Sequence, residues 1–542
     1  MPRPTLSSSG PIEPDGPRMT DVRLWHHGRI FTGRRYVEAL LVENGRVAAS
    51  GSVDEVRRAA PTGAEVVDLA GRLLVPGFID AHLHIGDLTR VREGLDVSGT
   101  RSVSELVKRT REWADSHPIG TVVGRGWDAE RFIERRWPTR VDLDRAVMDR
   151  PLILYHASGH AAVVNTLALD RAGVHRTPTD PAGGRFGREV GGDLDGRLFE
   201  EAMRSVAGPA TDGFPPDAAA IGRTLRFAAS LGLTTVTAMN VGVEEASVLR
   251  ELAQAGALPV RVRVYLRLSR LEEFGPTDLA PAGLNGIHRV TGVKAFTDGA
   301  FGPRTAWLSA PYADATEETG LPVGTEEELS AALHRAASRG LAPALHAIGD
   351  RAVDRALRLL RSFRGSPVAP ARIEHAALIP PELFPLLDEV RSVLGVQPGF
   401  VWSDAWLQDR LGRERARWAY AFRSLADRGH VLAGSSDAPY DPVDPWRGLS
   451  ASVCRWDSQG RSANPDPAEA LPPEEAVRMY TVNGGRALGE PELGHLEAGA
   501  GADLVVLEAS DLSRAISLGS SAVREVWVGG RPLAIGPVAS GA

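Results

Sequence analysis

The sequence contains a single cysteine, Cys454, among 542 residues, so a disulfide within the chain and a cysteine-rich zinc or iron–sulfur site are both excluded. It also lacks an apolar run of about 18 residues, which excludes a membrane-spanning helix. The formal net charge of −7, from 62 basic and 69 acidic residues, leaves no basic surplus for a nucleic acid or an anionic membrane surface. We therefore expect a small-molecule substrate, no nucleic-acid or membrane partner, and any metal site to be built from histidine and carboxylate side chains.

Lysine is also scarce, because only Lys108 and Lys294 occur and arginine supplies all the other basic residues. Residues 1–20 are rich in proline, serine and glycine without an apolar run, which predicts a disordered tail rather than a signal peptide. We therefore expect a cytoplasmic protein, and a homodimer because that is the commonest closed assembly.

Short β-like runs at both chain ends predict one composite β-sandwich domain from residues 21–73 and 486–540. Between them, over residues 74–485, apolar strand-like runs alternate with amphipathic helical stretches, the pattern of βα units in a parallel sheet. The eight predicted strands are 74–84, 232–237, 260–266, 289–296, 341–346, 371–375, 392–397 and 430–436. Eight units favour the α/β class and a (β/α)8 TIM-type barrel, and the long interval after the first strand predicts an inserted subdomain at about 88–215.

The sharpest motif is the segment 75–84, in which Asp80, His82 and His84 alternate along a strand and so share one face. Two imidazoles one pleat apart can bind one cation, although a His-x-His pair also arises by chance. His346 and His375 end later strand runs and would reach the same rim of a barrel. Histidine is the commonest ligand of catalytic Zn²⁺, so four histidines at one rim favour a metal site.

Asp437 ends the last strand run, after Gly434-Ser435-Ser436. A carboxylate there can bind the cation and take a proton from the water that the metal activates, whereas an ordinary aspartate would only cap a loop.

Lys294 lies inside a β-like run, where burial would favour the neutral amine. A neutral lysine can react with CO₂ to give an anionic metal bridge, a reaction closed to arginine. The alternative is an ammonium paired with a carboxylate such as Asp298.

These residues in this order resemble the amidohydrolase superfamily of metal-dependent hydrolases, and within it amidohydrolase family 3, the branch that includes N-substituted formamide deformylase-like proteins. The resemblance covers roughly residues 21–535. Its motifs are PGFIDAHLH (76–84), GWD (126–128), GHAAVVNTLAL (159–169), GRLFEEA (196–202), VKAFTDGAFGPRTAWL (293–308), HAIGD (346–350), RIEHA (372–376), GVQP (395–398), GSSDAP (434–439) and GAGADLVVL (499–507).

The resemblance implies a (β/α)8 barrel with a small β-sandwich and one or two divalent cations, expected to be Zn²⁺. The implied metal ligands are His82, His84, Lys294, His346, His375 and Asp437, with Lys294 carboxylated and with Asp437 and Lys294 as catalytic residues. Trp127 and His160 match family positions that face the substrate, although packing or a structural hydrogen bond would explain both equally well. Asp298 is a third candidate for substrate contact.

The function we predict is metal-dependent hydrolysis of a non-peptide carbon–nitrogen bond in a linear or cyclic amide, such as an N-substituted formamide, with Asp437 as the general base. Hydrolysis of an ester, a carbamate or a phosphoester is an alternative, since the same activated hydroxide serves all of them. An alternative of another class is a non-catalytic, metal-stabilised binding barrel.

Overall fold

The computed structural model describes residues 22–156, 161–174, 178–181, 184–200, 202–203, 205–207, 216–302, 304–363, 366 and 368–534. The predicted tail over residues 1–20 and the candidate residue His160 lie outside the described residues. In the described part of the chain, no helix is both long enough and apolar enough to cross a membrane.

Eight parallel strands form the central sheet, and each pairs with the next along the chain. In order they are Phe78–Leu83, Leu233–Val241, Arg261–Arg267, His288–Phe296, Ala342–Ala347, Arg372–His375, Val393–Val396 and Leu432–Gly434. Two backbone hydrogen bonds join the end of the first strand to the segment just after the last: Asp437 N–H donates to His82 O and His84 N–H donates to Ala438 O, each over 2.8 Å. The predicted (β/α)8 barrel is confirmed.

Helices cover the outside of this sheet, because each presents an apolar face to strands that are buried on both sides. The main helices beside the barrel are Ile85–Glu93, Ala218–Ser230, Val243–Gln254, Glu326–Ser338, Asp350–Ser362, Phe384–Val390, Phe422–Asp427, Pro445–Val453, Pro473–Met479 and Val482–Ala487. Shorter helices, Phe400–Ser403, Leu407–Leu411 and Arg413–Ala416, follow the seventh strand at the rim.

The run 74–84, predicted as one strand, is two strands in the structure. Leu73–Pro76 belongs to another sheet, and the first barrel strand begins only at Phe78. Gly77 separates them because a Cβ there would lie 2.2 Å from Thr234 Oγ1, so only glycine lets the backbone pass between the two sheets.

Two small sheets lie beside the barrel in the described part of the chain, the first built from N-terminal strands alone and the second from strands of both ends. One comprises Val22–His26, Ala39–Glu43, Arg46–Gly51 and Glu65–Asp68; the other comprises Arg29–Phe31, Tyr36–Val37, Leu73–Pro76, Leu504–Leu507, Val523–Val528 and Arg531–Pro532. They share a core in which the Trp25 and Trp527 rings meet edge to face at 5.5 Å. The buried guanidinium of Arg263 binds Glu490 with Nε–Oε1 and Nη2–Oε2 distances of 2.5 and 2.7 Å, tying the third barrel strand to the segment that leads into this region.

A third small sheet lies between the first and second barrel strands in the chain. Its strands are Leu95–Asp96, Val122–Trp127, Leu152–His156, Ala161–Val164, Gly184–Arg188 and Leu194–Glu200, accompanied by helices Val103–Ser116, Arg140–Ala146 and Thr166–Arg171. This segment has hydrophobic clusters of its own, separate from the barrel core.

Candidate metal centre

The first and last barrel strands bring two histidines and an aspartate together. His84 Nε2 lies 3.1 Å and His82 Nε2 lies 3.2 Å from Asp437 Oδ1. One ligand atom from each of the three residues lies within 4.8 Å of the other two. Two imidazole nitrogens and a carboxylate oxygen at this spacing fit a divalent cation of the zinc type.

Glu374 lies directly behind His82. Its Oε2 is 2.6 Å from His82 Nδ1, so Nδ1 carries the hydrogen and Nε2 is left as the nitrogen that can bind a cation. Burial would raise the pKa of Glu374, but Arg372, whose Nε is 2.7 Å from Glu374 Oε1, and His82 hold that pKa well below its usual value. The carboxylate therefore stays ionised inside the barrel.

His346 and His375 lie next to this cluster. The His375 ring centroid is 5.1 Å from that of His82 and 4.4 Å from that of His346. His375 Nδ1 lies 2.8 Å from Gln397 Oε1, and His346 Nε2 lies 2.9 Å from the carbonyl oxygen of Gly299, so each ring has one nitrogen held by the protein and one that remains for a ligand. The structure thus brings all four predicted histidines together.

The rings of His82, His346 and His375 are neutral at physiological pH, because burial holds the pKa of each below its ordinary value. For His84 burial would lower the pKa, but the hydrogen bond to Asp437 and the charge of that carboxylate together raise it above its ordinary value. Burial, followed by the charge of Lys294, lowers the pKa of His82 to about 4, and burial lowers the pKa of His375 to about 3. A neutral imidazole offers the lone pair that a metal requires. Burial alone would raise the pKa of Asp437, but His82, His84 and His375 hold it well below its usual value, so the aspartate is anionic.

The Lys294 side chain reaches the same cluster of histidines. Its Nζ lies 3.2 Å from His82 Nε2, and the side chain is buried. Burial lowers the pKa of Lys294 to about 8, which raises the fraction of neutral amine near pH 7. The lysine therefore meets the first requirement for reaction with CO₂.

The other described candidates, Asp298 and Trp127, are buried and hydrogen-bonded within the protein, and Asp298 Oδ1 lies 3.5 Å from His346 Nε2. Asp298 has a completely buried carboxylate that accepts hydrogen bonds from the N–H groups of Trp307, Ile348 and Gly349, at 2.9, 3.1 and 2.8 Å. Trp127 is fully buried, and its Nε1 donates to Leu154 O over 2.8 Å. Through its hydrogen bonds Asp298 joins the loop after the fourth strand to the end of the fifth.

Glu374 and Gln397 are site residues that the sequence analysis missed. The signal for Glu374 was present in the motif RIEHA, since Arg372 and Glu374 are two charged residues one pleat apart in a short strand run. Gln397 stands one residue after the seventh strand, at the same rim.

The comparisons with known proteins agree with this geometry. A sequence profile described as "Amidohydrolase family" matches residues 65–534. The YtcJ amidohydrolase of Bacillus subtilis (strain 168) is 31% identical over 502 residues, covering 89% of this chain and 94% of that protein. The N-substituted formamide deformylase of Arthrobacter pascens is 28% identical over 490 residues, covering 87% and 90%. The crystal structure of an uncharacterized metal-dependent hydrolase from Pyrococcus furiosus superposes with a TM-score of 0.77 at 32% identity, covering 91% of this chain and 99% of that one.

Proposed function

The chain belongs to the amidohydrolase family, and on this basis we propose that it is a metal-dependent hydrolase of a carbon–nitrogen bond other than a peptide bond. The substrate class we assign is a linear or cyclic amide, such as an N-substituted formamide. The observation that carries the proposal is the convergence of His82, His84 and Asp437 at the rim of the barrel. The relationship to an N-substituted formamide deformylase supports the choice of bond.

Zn²⁺ is the ion we assign, because neutral imidazole and carboxylate are ligands that it prefers. His82, His84 and Asp437 would hold one ion, and His346 and His375 would hold a second or complete the first. When bound, the cation lowers the pKa of water and polarises the substrate carbonyl.

Lys294 is the residue we assign as a carboxylated bridge. Its neutral amine nitrogen would form a bond to the carbon of CO₂ and release one proton, which leaves an anionic carbamate. Lys294 is buried with its Nζ 3.2 Å from His82 Nε2, so an anion formed there would lie beside the histidines. Arginine would not serve here, because its guanidinium does not lose a proton in proteins.

Asp437 is the residue we assign to proton transfer. Its carboxylate is ionised and fixed by His82 and His84, so it is ready to take a proton from the attacking water. The same proton would then pass to the departing amine nitrogen. Because the proton taken up in the first step is released in the second, Asp437 ends each cycle ionised.

The test is a hydrolysis assay on N-substituted formamides, hydantoins and aryl esters, using protein stripped of metal and then reconstituted with Zn²⁺. We expect amide hydrolysis that depends on Zn²⁺ and falls about 10²–10⁴-fold in Asp437→Asn, the usual contribution of a general base. The control is Asp115→Asn, at an exposed position on helix Val103–Ser116. Full activity in metal-replete Asp437→Asn would overturn the assignment of the base, and activity confined to esters would overturn the assignment of the bond.

A further inference from the structure

The barrel rim also contains a cavity of about 640 Å³, within the range of roughly 300–1,000 Å³ that small-molecule sites occupy. Its lining comes from two segments. The segment after the seventh barrel strand contributes Trp402 and Trp406, and the segment after the eighth contributes Arg447 and Arg461. Both segments follow the carboxyl ends of strands, the ends that form the face of the barrel where the candidate metal centre lies.

The two arginines are balanced by carboxylates of the protein. Arg447 donates from Nε to Asp441 Oδ2 and from Nη2 to Ser403 Oγ, each over 3.0 Å. Arg461 donates from Nε to Asp457 Oδ2 over 2.9 Å. The cavity therefore has no charge surplus with which to select an ion, and the two indole rings set its chemistry.

The indoles are held in place before any ligand arrives. Trp402 Nε1 donates to Cys454 O over 3.1 Å, and the Arg447 guanidinium carbon lies 5.4 Å from the centroid of the same ring. The Arg410 guanidinium carbon lies 5.6 Å from the centroid of the Trp406 ring, and Trp406 is still 36% exposed. Fixed, partly exposed indoles favour a flat ring, because stacking then costs little side-chain entropy.

The walls of the cavity are continuous with the metal centre. Asp441, which binds Arg447, is four residues beyond Asp437, and the intervening Tyr440 ring lies 5.5 Å from the His84 ring. On the other wall, two residues before Trp402, the Phe400 ring is parallel to that of His375 at 6.5 Å. Each wall of the cavity is therefore part of a segment that contacts a candidate metal ligand.

We propose that this cavity is a subsite for an uncharged aromatic substituent of the substrate. This inference rests on the proposed hydrolase function and narrows it to amides that carry an aryl or arylalkyl group. Trp402 and Trp406 would stack on that group while the amide lies toward His84 and His375.

The binding test uses benzamide as the aromatic probe and cyclohexanecarboxamide as the saturated control, with tryptophan fluorescence as the signal. We expect benzamide to bind more tightly, and its affinity to fall about tenfold in Trp406→Ala, the loss of one stacked ring. The matched control is Trp456→Ala, since Trp456 is also 36% exposed but does not line the cavity. Equal affinity for the two probes, or an equal loss in both variants, would overturn the proposal.

Steady-state kinetics test whether the cavity binds part of the substrate. We expect benzamide to inhibit amide hydrolysis competitively, and Trp406→Ala to raise KM for N-aryl amides about tenfold, whereas the control Trp456→Ala leaves that KM unchanged. Non-competitive inhibition would overturn the subsite and point to a separate aromatic ligand. Because the fluorescence titration needs no turnover, tight benzamide binding in a protein that hydrolyses nothing would remove the proposed function and still support an aromatic site.

Discussion

His82 Nδ1 and Glu374 Oε2 are 2.6 Å apart in the interior of the barrel, and both side chains are completely buried. The contact fixes which nitrogen of His82 faces the candidate metal centre. It depends on Gly395, because a Cβ at that position would lie 2.3 Å from Glu374 Oε2.

We predict that Glu374→Gln weakens Zn²⁺ binding about 10–100-fold, the usual effect of removing the partner of a metal-binding histidine. The glutamine keeps the size of the side chain but removes the charge that orients the ring. Competition with a fluorescent zinc chelator measures the change, and Glu382→Gln, at an exposed position, is the control. Unchanged zinc affinity in Glu374→Gln would show that His82 needs no such partner.

The two lysines of the chain provide a matched pair for testing the bridge. Lys294 is buried, whereas the side chain of Lys108 is 76% exposed on a helix surface. We predict that Lys294→Ala lowers the number of zinc ions bound per chain, measured by elemental analysis after reconstitution with bicarbonate, from two to one or none. Lys108→Ala should keep both ions. One ion in every variant would make Lys294 dispensable for metal binding, and Lys294→Arg should behave like Lys294→Ala.

The ion pair between Arg263 and Glu490 predicts a large effect on stability. Both side chains are buried, so Arg263→Ala would leave the Glu490 carboxylate with only the partly exposed Arg289, whose Nη1 lies 3.4 Å from Glu490 Oε1. Breaking a buried pair costs about 3–5 kcal/mol in the free energy of unfolding. Urea denaturation measures this loss in the free energy of unfolding. Arg335→Ala is the control, because its pair with Glu272 is exposed and is worth at most about 1 kcal/mol. Similar losses in the two variants would contradict a special role for the buried pair.

His288 predicts a dependence of stability on pH. Burial, followed by the charges of Arg263 and Arg250, lowers its pKa to about 4, from 6.5 in the unfolded chain. Below pH 6.5 the unfolded chain binds the proton and the folded protein does not, so the folded state loses stability as the pH falls toward 4.

Between pH 7 and pH 5 this loss amounts to roughly 2 kcal/mol for His288 alone. His288→Gln should remove it, so that the unfolding free energy of the variant changes less with pH than that of the parent protein. His334→Gln, at an exposed position, is the control. The same pH dependence in parent and His288→Gln would contradict the prediction.

The barrel was predictable from sequence because strand-like runs alternate with amphipathic helical stretches, and this alternation indicates βα units. The division of 74–84 at Gly77 was not, because the reason lies in Thr234, a residue far away in the chain that approaches the backbone from another strand. The only trace of this close approach in the sequence is a glycine. Because glycines occur for many reasons, Gly77 alone does not predict a break in the strand.

In the candidate site, too, the sequence predicts some residues and leaves others unpredicted. His82, His84, His346, His375, Lys294 and Asp437 stand at strand ends, and the geometry of a parallel barrel brings strand ends together. The partners of these residues depend on three-dimensional packing. Asp298 follows a strand as Asp437 does, yet its carboxylate accepts hydrogen bonds from three backbone N–H groups. No local sequence pattern reveals these donors.

The two hydrogen bonds that close the barrel, from Asp437 N–H to His82 O and from His84 N–H to Ala438 O, have a consequence for synthesis of the chain. The His84 and Asp437 side chains that meet there are 353 residues apart in sequence. During synthesis, His82 and His84 therefore leave the ribosome long before Asp437. The candidate metal centre stays incomplete until Asp437 has been added. The proposed activity would require the segment just after the last strand to pair with the first, and we expect a chain truncated before Asp437 to lack it.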